Sequence, residues 1–146
     1  MLKATAGDDD REAAQAVTAV LDAYRDAWNA GDADAFGNLF TADATYVIFL
    51  GDALLGRDAI RENHRDVFTK WQAGTTLAVR PVSIRRLSET VISVLTVGGI
   101  DTDPEAIPID KFQTFTLVRD GSGWKVAAFH NTSMAAWSVE RYNRAE

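Results

Sequence analysis

Val-Thr-Ala-Val-Leu-Asp-Ala-Tyr-Arg-Asp-Ala-Trp-Asn-Ala-Gly-Asp-Ala-Asp-Ala-Phe, residues 17–36, decides how the rest of the chain is read. Val17, Leu21, Tyr24 and Trp28 recur at helical spacing, while Asp22, Arg25 and Asp26 fall on the opposite side. That pattern predicts a helix with one buried stripe. Asp10 can cap its start, and Gly31 suits the left-handed position just past its end. Asp32 can then cap a short second helix over 33–40, with Phe36, Leu39 and Phe40 apolar. A phenol on a buried helix face needs a hydrogen-bond partner or must meet one in a cavity. Tyr24 therefore marks a polar point in an apolar interior, or else a core tyrosine bonded to a backbone carbonyl.

Working outward, residues 45–50 (Thr-Tyr-Val-Ile-Phe-Leu) read as a strand that is apolar on both faces. Gly51 and Asp52 form a turn, and Gly56 opens a third helix over 57–71 in which Ile60, His64, Val67, Phe68 and Trp71 share a side. Strands follow at about 75–87, 90–98, 110–119 and 124–133, the last two joined by the hairpin turn Asp120-Gly121-Ser122-Gly123. Residues 100–109 read as a polar loop with Pro104 and Pro108. Helices gather at one end and strands at the other, which predicts an α+β fold with a mostly antiparallel sheet. Three helices cover one face of such a sheet. Val91, Ile92, Val94, Leu95 and Val97 put apolar side chains on both faces. A homodimer through the sheet face is the economical cover for the other. The predicted organisation is a mobile tail over 1–9, a single domain over 10–134 and a C-terminal segment over 135–146.

The chain has 146 residues, 47% of them hydrophobic, with four Trp, three Tyr and seven Phe, enough for one core without staples. There is no cysteine, which excludes disulfides, thiolate catalysis and cysteine-ligated metal. The net charge of −6 argues against nucleic acid as a partner, since the Arg80, Arg85, Arg86 group makes no basic stripe. The N-terminus carries no apolar signal region and nothing reaches the length of a membrane span, so a cytoplasmic protein without membrane contact is expected. Without secretion, the glycosylation pattern at Asn131-Thr132-Ser133 has no consequence.

Several motifs in order resemble the nuclear transport factor 2-like superfamily, which includes SnoaL-like and ketosteroid isomerase-like proteins. They are Asp-Ala-Trp-Asn-Ala-Gly-Asp-Ala-Asp-Ala-Phe (26–36), Leu-Phe-Thr-Ala-Asp-Ala-Thr-Tyr (39–46), Gly-Arg-Asp-Ala-Ile (56–60) and Leu-Val-Arg-Asp-Gly-Ser-Gly-Trp-Lys-Val-Ala-Ala-Phe-His-Asn-Thr (117–132). Within it the chain resembles the SgcJ/EcaC family, some of whose members come from enediyne antibiotic gene clusters. That finer likeness rests on Trp28-Asn29-Ala30-Gly31-Asp32 and His130-Asn131-Thr132. The resemblance implies a cone-shaped, curved, mostly antiparallel sheet wrapped around three N-terminal helices, with a pocket inside and a dimer across the sheet. Ketosteroid isomerases use a carboxylate base with a Tyr and a protonated Asp holding the oxyanion. Carried onto this chain, the oxyanion tyrosine falls on Tyr24, the base on Ile48, the oxyanion aspartate at or beside Phe115, and a supporting tyrosine on His64. Both carboxylates are replaced by apolar side chains, so isomerisation by that mechanism is not expected.

His64 lies four residues after Ile60 and four before Phe68, on the inward stripe, where an imidazole could act as general base or as hydrogen-bond donor. A structural histidine bonded to a strand carbonyl is the competing account. His130 alternates with Trp124, Val126 and Ala128, opposite Lys125, a parity that could turn it inward; a one-residue slip would put Asn131 there instead, and a sheet-face or dimer contact is the competing and slightly favoured account for His130. Metal binding is not expected: there is no His-Glu-x-x-His or His-x-His spacing, and Asp43, Asp52 and Asp58 sit at caps or turns. No serine sits on a nucleophile elbow, and Gly98 and Gly99 lack the Lys and helix of a phosphate loop. Tyr24, Trp28, Tyr46, Ile48, His64, Phe68, Phe115 (or Phe112) and His130 are the candidate ligand contacts. Tyr24 and His64 are the candidate catalytic pair, and no cofactor is called for. The expected ligand is a hydrophobic, polyketide-derived molecule of the polyene or enediyne type. One alternative is a cofactor-independent isomerase, cyclase or dehydratase using His64 and Tyr24. The other is an interaction module whose pocket is filled by its own side chains.

Overall fold

A computed structural model describes residues 6–121 and 123–144. Helix α1 runs Ala6–Ala30, α2 Ala33–Gly37 and α3 Arg57–Asp66, with a π-helical turn Val67–Trp71 continuing α3. The strands are β1 Phe40–Val47, β2 Ala53–Leu55, β3 Thr76–Ser88, β4 Val91–Asp101, β5 Lys111–Asp120 and β6 Gly123–Ser133, and α4 Ala136–Asn143 follows them. One six-stranded sheet has the order β2-β1-β6-β5-β4-β3. Only β1 and β6 run parallel; the other neighbours are antiparallel. The core lies between the first three helices and the concave face of this curved sheet.

Local chemistry explains the helical half. Gly31 adopts φ +64°, and the amides of Gly31 and Asp32 reach back to the carbonyls of Trp28 and Ala27 at 2.9 and 3.0 Å. This left-handed stop satisfies carbonyls that the last turn would leave unpaired. The Asp32 carboxylate then accepts from the Ala35 amide at 3.0 Å and starts α2. The Asn29 side chain accepts from the Leu77 amide at 2.8 Å, tying the end of α1 to the start of β3.

Some boundaries differ from the sequence reading. The first helix begins at Ala6, so residues 6–9 of the expected tail are helical, and residues 1–5 lie outside the described residues. The second helix stops at Gly37 because Phe40 is already paired with Val126 in the sheet. The first strand ends at Val47: the Ile48 amide donates to the Asp52 carbonyl and the Gly51 amide to the Ile48 carbonyl, closing a turn. Of the hairpin turn after β5, Ser122 lies outside the described residues.

Two glycines are demanded by close approach. A Cβ at Gly99 would stand 1.9 Å from the Pro108 carbonyl oxygen, because the loop of residues 102–110 folds back against β4. One at Gly98 would stand 2.5 Å from the Ala78 carbonyl oxygen and 3.1 Å from the Gln113 amide. Here the pair serves packing.

The outer face of the sheet is partly covered from within the chain. Arg80, Val97 and Phe112 form one register row across β3, β4 and β5. The Phe112 ring meets Tyr142 of α4 edge-on at 5.4 Å, and the Arg80 guanidinium lies 5.9 Å from the same ring. The Asn143 side chain pins α4 to the backbone of Ile109 through both its oxygen and its nitrogen. The C-terminal helix thus packs on the sheet face opposite α1–α3.

Candidate functional site

Tyr24 projects from the C-terminal third of α1 into an aromatic cluster. Its ring packs on Phe36 at 5.1 Å, edge-on to Phe115 at 5.2 Å and beside Phe129 at 5.8 Å. Tyr46 arrives from β1 and stacks on Phe129 at 4.2 Å. The two phenol oxygens meet at 3.2 Å. Each tyrosine is only 4% exposed. Burial pushes the Tyr24 hydroxyl above its ordinary range, with the contact to Tyr46 pulling slightly back. Burial does the same to Tyr46, reinforced by the neighbouring Tyr24. Both phenols therefore stay protonated. One O–H donates to the other oxygen, which leaves one proton that the pair itself does not use.

His64 sits on the inward stripe of α3, 2% exposed, stacked on Phe36 at 4.1 Å with the Tyr46 ring edge-on at 5.0 Å. Its Nδ1–H donates to the Ile60 carbonyl at 2.7 Å, one helical turn back. A carbonyl can only accept, so Nδ1 carries the proton and Nε2 is the acceptor. Burial among rings lowers the imidazole pKa to about 4, with the Ile60 bond opposing the shift. The group is a neutral acceptor at neutral pH.

These three side chains border a cavity of about 620 Å³ opening between α3, β1 and the middle of the sheet. Trp28 closes one side, its indole N–H donating to the Thr75 hydroxyl at 3.1 Å. Leu77, Ile100 and Val67 add apolar wall, while Gln113 and Asn131 supply amides from the sheet. At the rim stand Ile48, Phe49, Leu50, Asp52, Trp71 and the Asp110 and Lys111 pair. The Lys111 ammonium donates to Asp110 at 2.9 Å and lies 4.8 Å from the Phe49 ring centre. Leu50 and Trp71 are 76% and 62% exposed, so the mouth is greasy where the wall meets solvent. The volume falls within the range usual for small-molecule sites, and the expectation of a pocket filled by its own side chains does not describe this space.

Five of the sequence-derived contacts border the cavity: Tyr24, Trp28, Tyr46, Ile48 and His64. Three do not. Phe115 is fully buried beneath Tyr24 and Phe129 and belongs to the core behind the cavity. Phe68 is turned toward α1, meeting Trp28 at 5.2 Å and lying across from Gly31. The Gln72 amide reaches the Val67 carbonyl, five residues back, at 2.7 Å, which closes the π-helical turn. Val67 and Trp71 border the cavity, while Phe68 packs inward on Phe36 and His64 in the core beside it. His130 is exposed on the outer face. Its parity is reversed by a bulge at Ala127, where Leu117 pairs with Val126 but Thr116 with Ala128. After one extra residue, Phe129 and Asn131 face inward and His130 faces out.

The sequence reading placed Trp71 on the inward stripe, weighed Asn131 only as a fallback, and missed Gln113 and the Asp110 and Lys111 pair. Gln113 pairs with Asn131 across β5 and β6 and follows the same parity as Phe115, a signal already present in the alternation of β5. Among the described residues no group of three His, Asp or Glu side chains converges to hold an ion, and no helix is long and apolar enough to cross a membrane.

A family model for the SnoaL-like domain matches residues 21–127. No curated protein matches the sequence. Among solved structures, a Nostoc punctiforme domain of unknown function with a cystatin-like fold superposes with a TM-score of 0.78 at 22% identity, over 90% of this chain and 83% of that one. A Novosphingobium aromaticivorans protein provisionally named a scytalone dehydratase gives 0.72 at 16% identity, over 88% and 89%. A ketosteroid isomerase-like protein from Erwinia carotovora atroseptica gives 0.64 at 18% identity, over 83% and 95%. At these identities the likeness is one of fold, and it agrees with the α+β cone expected from the sequence.

Proposed function

We propose that this chain, which belongs to the SnoaL-like domain family, binds an apolar small molecule and orients it through one acceptor oxygen held by the Tyr24 and Tyr46 hydroxyls. The observation that carries this reading is the unspent phenolic proton beside a 620 Å³ cavity. A buried O–H with no further acceptor among the described residues is satisfied by a carbonyl or ether oxygen of a guest. Because burial keeps both phenols protonated, they donate rather than ionise. The aromatic and aliphatic wall supplies contact area, and the guest needs no charge.

The finer identity proposed for the guest is a polyketide-derived polyene or enediyne-type intermediate held in the cytoplasm, and it rests on the sequence resemblance to the SgcJ/EcaC family. A dry cavity would protect such a molecule from side reactions. A homodimer through the outer sheet face belongs to the same proposal: Val91, Leu95 and Val118 lie half-buried on that face. Sedimentation at about twice the 16.0 kDa chain mass supports the dimer; a monomer refutes it. The binding reading is tested by native mass spectrometry of protein co-expressed with a polyene-producing polyketide synthase. A stoichiometric adduct, reduced by Tyr24→Phe, is the expected result; an unliganded chain throughout overturns it.

A second reading, cofactor-independent conversion, is favoured by one observation: the Ile60 contact makes His64 Nε2 an acceptor in the same wall as the phenols. Nε2 would take a proton from the carbon beside a carbonyl and return it two carbons away, while a tyrosine O–H holds the oxygen. This differs from the ketosteroid isomerase arrangement, since Ile48 and Phe115 occupy the carboxylate positions. It predicts that Tyr24→Phe and His64→Ala each cut turnover by orders of magnitude while binding persists. With the imidazole pKa near 4, the rate should also be flat above pH ~5. Conversion that survives both substitutions refutes it.

A further inference from the structure

Two residues along the strands from the row that holds Tyr46 and Phe129, the inward face of the sheet carries a polar row. Thr96, Gln113 and Asn131 are register partners across β4, β5 and β6. Thr96 is fully buried and Gln113 is 7% exposed. The Thr96 hydroxyl donates to Gln113 Oε1 at 2.7 Å, so that oxygen is taken and the Gln113 amide N–H₂ is the donor it still has to offer. Next along the row, Asn131 Oδ1 is buried and has no hydrogen-bond partner among the described residues. Both amides border the cavity. Gly98 keeps the space around the Gln113 amide open, since a Cβ there would approach that amide at 3.1 and 3.2 Å.

A buried carbonyl oxygen without a donor is costly, and folded proteins rarely tolerate one without a use. Phe129 and Asn131 face inward only because of the bulge at Ala127, so this oxygen is placed by the ladder itself. We propose that Asn131 Oδ1 is the receptor for a hydrogen-bond donor on the guest, an O–H or N–H, making the ligand class a hydroxylated ketone rather than a plain hydrocarbon. This rests on the reading that the phenol pair holds an acceptor oxygen. The guest then spans the cavity with its acceptor at Tyr24 and Tyr46 and its donor at Asn131, with the Gln113 N–H₂ alongside to return a bond to the same hydroxyl. An apolar wall alone discriminates poorly between molecules of one shape, whereas a buried acceptor rejects any guest that leaves it empty.

The test uses two matched pairs of ketones that differ in span: 4-hydroxyacetophenone and 6-hydroxy-2-acetylnaphthalene, each with its methyl ether. Binding is read from the fluorescence of Trp28 and Trp71, which border the cavity. The expected result is that at least one hydroxy ketone binds on the order of tenfold more tightly than its methyl ether, the scale of one hydrogen bond. Asn131→Leu should abolish that preference while still binding the ether; its thermal melt reports that the variant is folded. If hydroxy and methoxy ketones bind equally, or if the preference survives Asn131→Leu, the Asn131 assignment is overturned and the phenol-pair reading stands. If none of the four ketones binds, the phenol-pair reading falls and takes this one with it.

Discussion

Replacing Tyr46 by phenylalanine, alone and together with Tyr24→Phe, asks whether the two hydroxyls depend on each other. At 3.2 Å their contact is long for an O–H···O bond, so the bond itself is worth no more than about 1 kcal/mol. A single substitution also strands the other hydroxyl, which at 4% exposure has little water to turn to. An unsatisfied buried group adds roughly 1 kcal/mol or more. Each single variant should therefore lose about 1–2 kcal/mol of stability. The double variant leaves nothing stranded and should lose about as much as one single variant. The coupling of about 1 kcal/mol exceeds the 0.3–0.5 kcal/mol scatter seen for independent sites. Urea denaturation followed by tryptophan fluorescence measures it, provided the slope with urea is unchanged across the four proteins. Losses that simply add would refute the reasoning, and with it the idea that one phenolic proton is set aside for a guest.

Three further outcomes follow from the geometry. Gly99→Ala drives a methyl group into the Pro108 carbonyl and should cost at least ~1–3 kcal/mol, with faster amide exchange over residues 102–110; an unchanged melt refutes the close approach. His64 has a folded pKa of about 4 against 6.5 when unfolded, so between those values the unfolded chain binds the extra proton. Its neutral form therefore favours the folded state above pH 6.5, and that advantage, about 3 kcal/mol in all, is lost as pH falls toward 4. His64→Gln should flatten this slope in urea melts from pH 7 to 4.5, and an unaltered slope contradicts the assignment. Trp71→Ala, at an exposed rim position, should leave stability within ~0.5 kcal/mol yet weaken ketone binding several-fold; unchanged affinity would remove the rim from the binding surface.

The helical half was legible in the sequence because its determinants are local. The stripe Val17, Leu21, Tyr24, Trp28, the glycine stop at Gly31 and the cap at Asp32 each act within a few residues, and all three stand as read. Strand boundaries after residue 75 were readable to within a few residues for the same reason. The side chains that face the cavity were less so. Phe68 has the inward parity that helical spacing predicts, but packs on Trp28, Phe36 and His64 in the core beside the cavity, and spacing alone does not tell core from cavity wall. The sequence left the parity open between Phe112 and Phe115; Phe115 is the inward one, but it lies one layer too deep, under Tyr24.

By itself the sequence determined the class of fold, the end of the first helix and the placing of a phenol and an imidazole on inward stripes, because periodicity and capping are short-range. Only the tertiary structure decided that the second phenol meets the first, that His64 is neutral and held by Ile60, and that Asn131 rather than His130 faces the cavity. Those outcomes depend on burial and on ladder register. A single bulge at Ala127, set by how β6 pairs with β5, inverts every side chain beyond it.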